Sequence, residues 1–430
     1  MPTFNIPEYR VHIDQLKPGV FIRMESLWFN HPFLFNRFKI KNAQQIQMLR
    51  DAGIEEVICV PSKSDALPSS QKPAQMKKKP KEEKAEKDPA TEEMWKIKQQ
   101  RIEKLKAKRK EIARCEEKYQ KSIANVPTML NGIISGSTQA VEQAHELVDE
   151  MVATFMDETD AVVHLMESKA TEEGMYFHAL NVSVLALMIG KEMKFSTEQL
   201  KDLGMGALFH DVGKCRIEKK ILRKPPPLTK LELQIIHLHP KYGVEIALKA
   251  KTFSNEALKV IFQHHERMNG KGYPKALSGS KISLSARIAA IADMYDNLVN
   301  NPSQAKALTP YQALSYMFAK QKNFLDMNVL SSFIRCIGIY PPGTIVQLSN
   351  DVLAIVIAVN PDNPLKPSLL IYDPEIPKDE AIIFGMEEDP ELDVVRSIAP
   401  YELPPEIFRY LNPRTQLNYF VDTPGEGPAE

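Results

Sequence analysis

A chain of 430 residues has room for roughly two to four domains and a sizeable core. Lys plus Arg and Asp plus Glu stand at 55 each, so no global field points to a nucleic acid polymer or a membrane surface. Cys59, Cys115, Cys215 and Cys336 are scattered without a Cys-x-x-Cys pair, which excludes a disulfide framework and suits a reducing, cytoplasmic compartment. The start of the chain lacks the pattern of a signal peptide, and no stretch is apolar for long enough to span a bilayer.

Residues 1–61 read as a small α+β regulatory domain. Val11-His12-Ile13 and Val20-Phe21-Ile22 flank Pro18-Gly19, as two short strands around a turn. Residues 43–52 carry Ile46 and Leu49 at helical spacing, and Val57-Ile58-Cys59-Val60 reads as a final strand. Trp28, Phe29, Phe33, Phe35 and Phe38 are either a ligand-binding face or the small core of this domain; the core is the expectation.

Residues 62–90 turn to Lys, Glu, Pro, Ser and Ala and read as a disordered linker, because little apolar surface is available to offset ordering. Residues 91–165 read as a long helical spacer with a break around Gly132 to Gly136. Ile97, Ile102, Leu105, Ile112 and Tyr119 make a sparse stripe, as on an exposed helix or a coiled-coil seam, so an oligomer through residues 91–124 is possible.

Residues 166–337 are expected to be all helical. Helices are read at 177–191, at 197–210 behind Ser196 as N-cap, from Thr229 onward, at 255–265 and at 283–298. Residues 338–421 combine Gly-Pro turns with short apolar runs and read as a small β unit, and 422–430 as a frayed tail. The expected fold is mainly α: a helical metal-binding bundle behind a small α+β domain and a long helix, followed by a small β unit.

His178, His210-Asp211, His239, His264-His265 and Asp293 fall within that helical module and include five of the ten histidines. Imidazole and carboxylate groups hold first-row transition metals at neutral pH, and without thiolates they point to iron or manganese. The set has enough ligands for two divalent ions sharing Asp211.

The flanks of these residues resemble the HD-GYP family of HD metal-dependent phosphohydrolases. The resemblance rests on His178, His210-Asp211-Val212-Gly213-Lys214, His239-Pro240, the run from His264 through Pro274, and Arg287 through Asp293. It implies an HD-type bundle in which Asp211 bridges, His178, His210 and Asp293 serve one metal, and His239, His264 and His265 serve the other. Lys214 is then the group that stabilises phosphoryl charge or protonates the leaving oxygen. Gly270, Gly272, Tyr273 and Pro274 belong to substrate or partner recognition. The implied substrate is cyclic di-GMP, cleaved to the linear dinucleotide or GMP in bacterial signalling, with sensing or docking assigned to the small domain in front.

The chain departs from the family pattern in places. Gly174 stands where some members carry a Glu for a third metal, so two metals are expected. Asn269 replaces a usual Asp. After Asp293-Met294-Tyr295-Asp296, the expected phosphate-holding arginine is missing and Lys306 is the remaining candidate cation. A low-activity docking module, or a phosphohydrolase of another nucleotide, is the alternative.

Overall fold

The computed structural model describes residues 7–25, 31–33, 36–69, 89–155, 174–225, 227–251, 253–301, 306–360, 363–374, 376–378, 381 and 383–411. The expected linker, for the most part, the end of the expected spacer and the expected tail lie outside these residues, as do Trp28, Phe29 and Phe35.

The first unit holds β1 (Tyr9–His12), β2 (Phe21–Arg23), β3 (Arg37–Lys39), α1 (Ala43–Asp51) and β4 (Glu56–Cys59). The sheet is antiparallel in the order β1-β4-β2-β3. The two strands read around Pro18-Gly19 therefore do not pair with each other; β4 inserts between them, with Val11 opposite Val57 and Ile22 opposite Cys59. Phe33 is buried and stacks on Phe38 at 4.8 Å between centroids, so these two aromatics belong to the core.

α2 (Pro89–Ser135) is 47 residues long, about 70 Å at 1.5 Å per residue. It corrects the picture of an exposed spacer. Leu105, Ile112 and Tyr119 are at most 1% exposed, and their partners come from this same chain. Leu105 packs into the C-terminal sheet unit, Ile112 and Tyr119 pack into the helical module, and Met94 leans on the N-terminal core. Leu105, Ile112 and Tyr119 of the stripe are covered by this chain while Ile97 stays exposed, so most of the stripe is no free coiled-coil seam. Gly136, at φ +82, ends the helix, and α3 (Thr138–Phe155) turns back along it.

The helical module contains α4 (Gly174–Glu192), α5 (Thr197–Leu208), the short α6 (Lys219–Leu222), α7 (Lys230–Ile236), α8 (His239–Ala250), α9 (Asn255–Gln263), α10 (Leu284–Val299), α11 (Pro310–Lys320) and α12 (Met327–Ile337). α4 is buried along nearly its whole length, against α5, α10 and α12. That is the position expected of a helix apolar all round. Ser196, Thr229, Ser254 and Ser283 each accept a hydrogen bond from the backbone N–H three residues on.

The last unit is a five-stranded antiparallel sheet of β5 (Ile345–Leu348), β6 (Leu353–Ala358), β7 (Ser368–Ile371), β8 (Ile383–Gly385) and β9 (Val394–Ile398), in the order β8-β7-β6-β5-β9. A closing helix, α13 (Pro405–Leu411), was not expected from the sequence. Both faces of this sheet carry apolar clusters, one of them meeting Leu105 of α2. Arg109 of α2 donates to the Lys378 carbonyl at 2.7 Å, and Lys63 of the first unit reaches the Asn350 carbonyl at 3.0 Å. Among the described residues no helix is long and apolar enough to cross a membrane.

Candidate metal centre

Three of the histidines stand where helices end or meet: His210 after α5, His264 after α9, and His239 at the start of α8, three residues past the end of α7. The last carbonyls of a helix have no partner within it. Here the ring Nδ1–H groups use them: His210 donates to Ala207 at 2.7 Å, His239 to Ile236 at 2.7 Å and His264 to Ile261 at 2.9 Å. A carbonyl only accepts, so each Nδ1 holds the proton and each Nε2 presents its lone pair inward.

Those lone pairs converge. His239 Nε2 and His264 Nε2 lie 3.2 Å apart, an arrangement that repels unless a cation stands with them. His210 Nε2 and Asp211 Oδ1 are buried without a hydrogen-bond partner, as the donor atoms of a metal site would be. Asp211 groups with His239, His264 and His265 on one side and with His178 and His210 on the other, the donor atoms of each group within 4.8 Å of one another. Asp293, from the middle of α10, lies 3.2 Å from His178 Nε2, 3.8 Å from His210 Nε2 and 4.0 Å from His265 Nδ1. The chain folds all seven sequence-nominated ligands into one buried cluster, and their chemistry fits metal ions.

The electrostatics separate the histidines. Burial holds His239 below its usual value, His264 well below it and His265 at about 3, so all three are neutral donors at pH 7. Burial also pulls on His178, but hydrogen bonds to Asp293 and Asp296 override it and push that ring up to about 10. A cation belongs at that position, whether a proton or a metal. Burial alone raises a carboxyl, yet Asp211 is held well below the carboxylate range by Lys214 and His210. Lys214 Nζ donates to Asp211 Oδ2 from the short 3-10 turn Val212–Arg216.

Gly213 makes that turn possible: a Cβ there would lie 2.0 Å from the His239 carbonyl oxygen. The turn packs backbone to backbone on α8. Residues 266–278 form the loop beside the double histidine. Glu266 is buried and accepts from the backbone of Lys275 at 2.7 Å and Leu277 at 2.8 Å, cinching the loop. Asn269 caps the bend by accepting from Lys271 N at 3.1 Å. Tyr273 stacks flat on His237, centroids 3.8 Å apart, and leans on His265 at 4.7 Å, so it borders the cluster; Gly272 lies against the His265 backbone, and Gly270 and Pro274 belong to the same loop. Lys306 is exposed beyond α10, and no hydrogen bond or ion pair joins it to the cluster among the described residues.

Asp296 is the principal residue that the sequence reading did not assign. It is buried one turn beyond Asp293, accepts from His178 Nδ1 at 2.7 Å, and so turns His178 Nε2 toward Asp293 and Asp211. The available signal was its i, i+3 spacing from Asp293, which puts both carboxylates on one helix face. Arg287 is a second such residue: it bonds Asp326 at 2.8 Å and ties the start of α10 to α12.

Fold and cluster together define a metal-binding HD-type helical protein. Residues 147–329 match the family described as HD domain, and residues 8–144 match a domain described as of unknown function, DUF3391. Residues 147–329 thus carry the HD domain, and the unit in front of it matches a separate domain. It is 28% identical over 367 residues to a cyclic di-GMP phosphodiesterase of Pseudomonas aeruginosa, covering 84% of each chain. It is 32% identical over 155 residues to a cyclic di-GMP phosphodiesterase response regulator of Xanthomonas campestris pv. campestris, covering 36% of this chain and 41% of that one. A solved structure of an HDG"Y"P protein from Bdellovibrio bacteriovorus aligns at 13% identity with a TM-score of 0.46, over 76% of this chain and 98% of that one.

Proposed function

We propose that this protein is a metal-dependent phosphodiesterase that hydrolyses cyclic di-GMP to the linear dinucleotide, GMP or both, using two divalent ions, iron or manganese. The observation that carries the reading is Asp211 standing between two sets of inward-facing imidazoles. His178, His210 and Asp293 would hold one ion and His239, His264 and His265 the other, with Asp211 shared. Two such ions supply the Lewis acidity and the acidified water that phosphodiester hydrolysis needs at neutral pH.

The protein's own groups do the rest. Asp296 and the three helix-end carbonyls fix the ring orientations. Lys214, fully charged beside Asp211, neutralises charge building on the phosphoryl oxygens and can pass a proton to the departing ribose oxygen. The loop carrying Gly270, Gly272, Tyr273 and Pro274 would serve substrate or partner recognition, with Tyr273 held in place between His237 and His265. The names of the Pseudomonas and Xanthomonas relatives support the substrate, and the scattered thiols support the cytoplasm as its location. Control by the first unit fits its contacts with α2.

One observation favours a second reading, a docking module of low turnover: the stretch after Asp296 lacks the expected arginine, and Lys306, the remaining candidate cation, is exposed. Protein purified without oxygen and loaded with iron or manganese decides between them, with products resolved by chromatography beside Asp211→Ala. Linear dinucleotide or GMP from the parent alone supports the enzyme. Two bound metals with no product would replace it with the docking module.

A further inference from the structure

Tyr119, a buried group with no role in holding metal, is joined to the cluster by a line of hydrogen bonds. It is fully buried on α2, with Phe177 of α4 at 6.5 Å between ring centroids. Its hydroxyl donates to Asn181 Oδ1 at 2.6 Å, Asn181 Nδ2 donates to Asp296 Oδ1 at 2.9 Å, and Asp296 Oδ2 accepts from His178 Nδ1 at 2.7 Å. The sense of the chain is forced from one end. A carboxylate only accepts, so Asn181 must present its NH2 group to Asp296. Its carbonyl is thereby turned to Tyr119, and the phenol has to donate. Buried bonds in series of this kind hold rotamers more firmly than solvated ones.

Tyr119 also lies outside the residues that match the HD domain, on a helix rooted elsewhere. About 37 Å back along α2, at 1.5 Å per residue, Met94 packs on the N-terminal core. One turn after Met94, buried Lys98 donates to the His31 carbonyl at 2.9 Å. A rotation or slide of α2 that moved the phenol by an ångström would release Asn181.

We propose that Tyr119 is a positioning residue for the metal centre: its hydroxyl sets the Asn181–Asp296 pair that orients His178, so the seat of a helix rooted in the N-terminal unit is felt at the metal. This rests on the metal-binding reading above. The test uses the full chain stripped of metal, with Mn²⁺ titrated in and the free ion followed by electron paramagnetic resonance. Thermal unfolding in chelator is run beside it. Losing one neutral hydrogen bond corresponds to about a 3- to 10-fold weaker Mn²⁺ affinity in Tyr119→Phe. Asn181→Leu weakens binding too, and adding Tyr119→Phe to it changes nothing further; Asn181→Ala takes its place if the leucine variant does not fold. An unchanged affinity in Tyr119→Phe, with only the unfolding midpoint lowered, overturns the proposal and leaves the hydroxyl a structural part. Additive losses in the double variant overturn the route through Asn181. A parent protein that binds no Mn²⁺ is a different failure, that of the metal reading itself.

Discussion

Asp296→Asn tests the orientation of His178 most sharply, because the carboxylate has more donors than an amide can serve. Its Oδ1 accepts from Asn181 Nδ2 at 2.9 Å and Asn300 Nδ2 at 2.8 Å, while Oδ2 accepts from His178 Nδ1 at 2.7 Å. Asparagine has one accepting oxygen. If that oxygen stays with the two amides, its NH2 faces His178 Nδ1, and the ring must move its proton to Nε2, closing the nitrogen that faces Asp293 and Asp211. If it turns to His178, three NH2 groups face one another in a buried space. Either way the ligand is misoriented at nearly constant volume. Loss of an orienting partner of this kind weakens metal binding by roughly 10- to 100-fold, or about 1.4–2.8 kcal/mol. Mn²⁺ competition against a chelator reads that change directly, with far-ultraviolet circular dichroism to show that the variant is folded. A folded variant with the parent's affinity would refute the role given to Asp296.

Four further outcomes follow from the same geometry. Lys214→Met should keep its metals and lose about 10²-fold or more in kcat, read by metal analysis beside steady-state hydrolysis; parental turnover removes Lys214 from the reaction. Gly213→Ala drives a Cβ to 2.0 Å from the His239 carbonyl oxygen and 2.5 Å from Gly243 N, both backbone, and should cost about 1–3 kcal/mol or more of stability and displace His239, seen as a lower unfolding midpoint and less bound metal. Glu266→Gln replaces one of two oxygens that accept backbone bonds from Lys275 and Leu277, so the loop loosens; KM should rise more than kcat falls, and equal effects on both would contradict that. In the metal-free protein, burial keeps His265 at about 3 against 6.5 when unfolded. The unfolded chain then binds the extra proton between those values, and stability falls as pH drops through that window. For His178, where burial is outweighed by Asp293 and Asp296, the folded state holds the proton up to about 10. That stabilisation is complete below 6.5 and fades as pH rises through 10. Unfolding midpoints in chelator should therefore peak near neutrality, and a flat profile from pH 4 to 10 would show that neither ring is held as described.

The ligand set was legible because adjacency is informative: His210-Asp211 and His264-His265 sit at helix ends, and the turn residues Gly213 and Gly270 mark where the chain leaves the helix. The caps at Ser196 and Thr229 were legible for a similarly local reason, whereas Ser283, read as part of its helix, is in fact the cap. What composition hid was partnership. A helix with Leu105, Ile112 and Tyr119 as its apolar face has the same pattern whether a second copy or the same chain covers it. The strand order of the first sheet was hidden too, because pairing β4 between β1 and β2 is a long-range choice that local turn chemistry does not encode. The part played by Asp296 needed coordinates, since only they show which of two carboxylates on one face meets the ring from behind.

The helix-end anchoring of His210, His239 and His264 also bears on the order of events. α5 and α9 each bring the partially negative pole of their peptide dipoles to the cluster, beside the ionised Asp211 and Asp293, while α8 brings its N-terminus at His239. Lys214 and the protonated His178 offset that charge, so the stripped cavity offers a phosphodiester little net attraction. Divalent cations loaded first would add the positive charge that an anionic phosphodiester needs. Substrate should then protect bound metal from chelators yet give no protection to the metal-free fold.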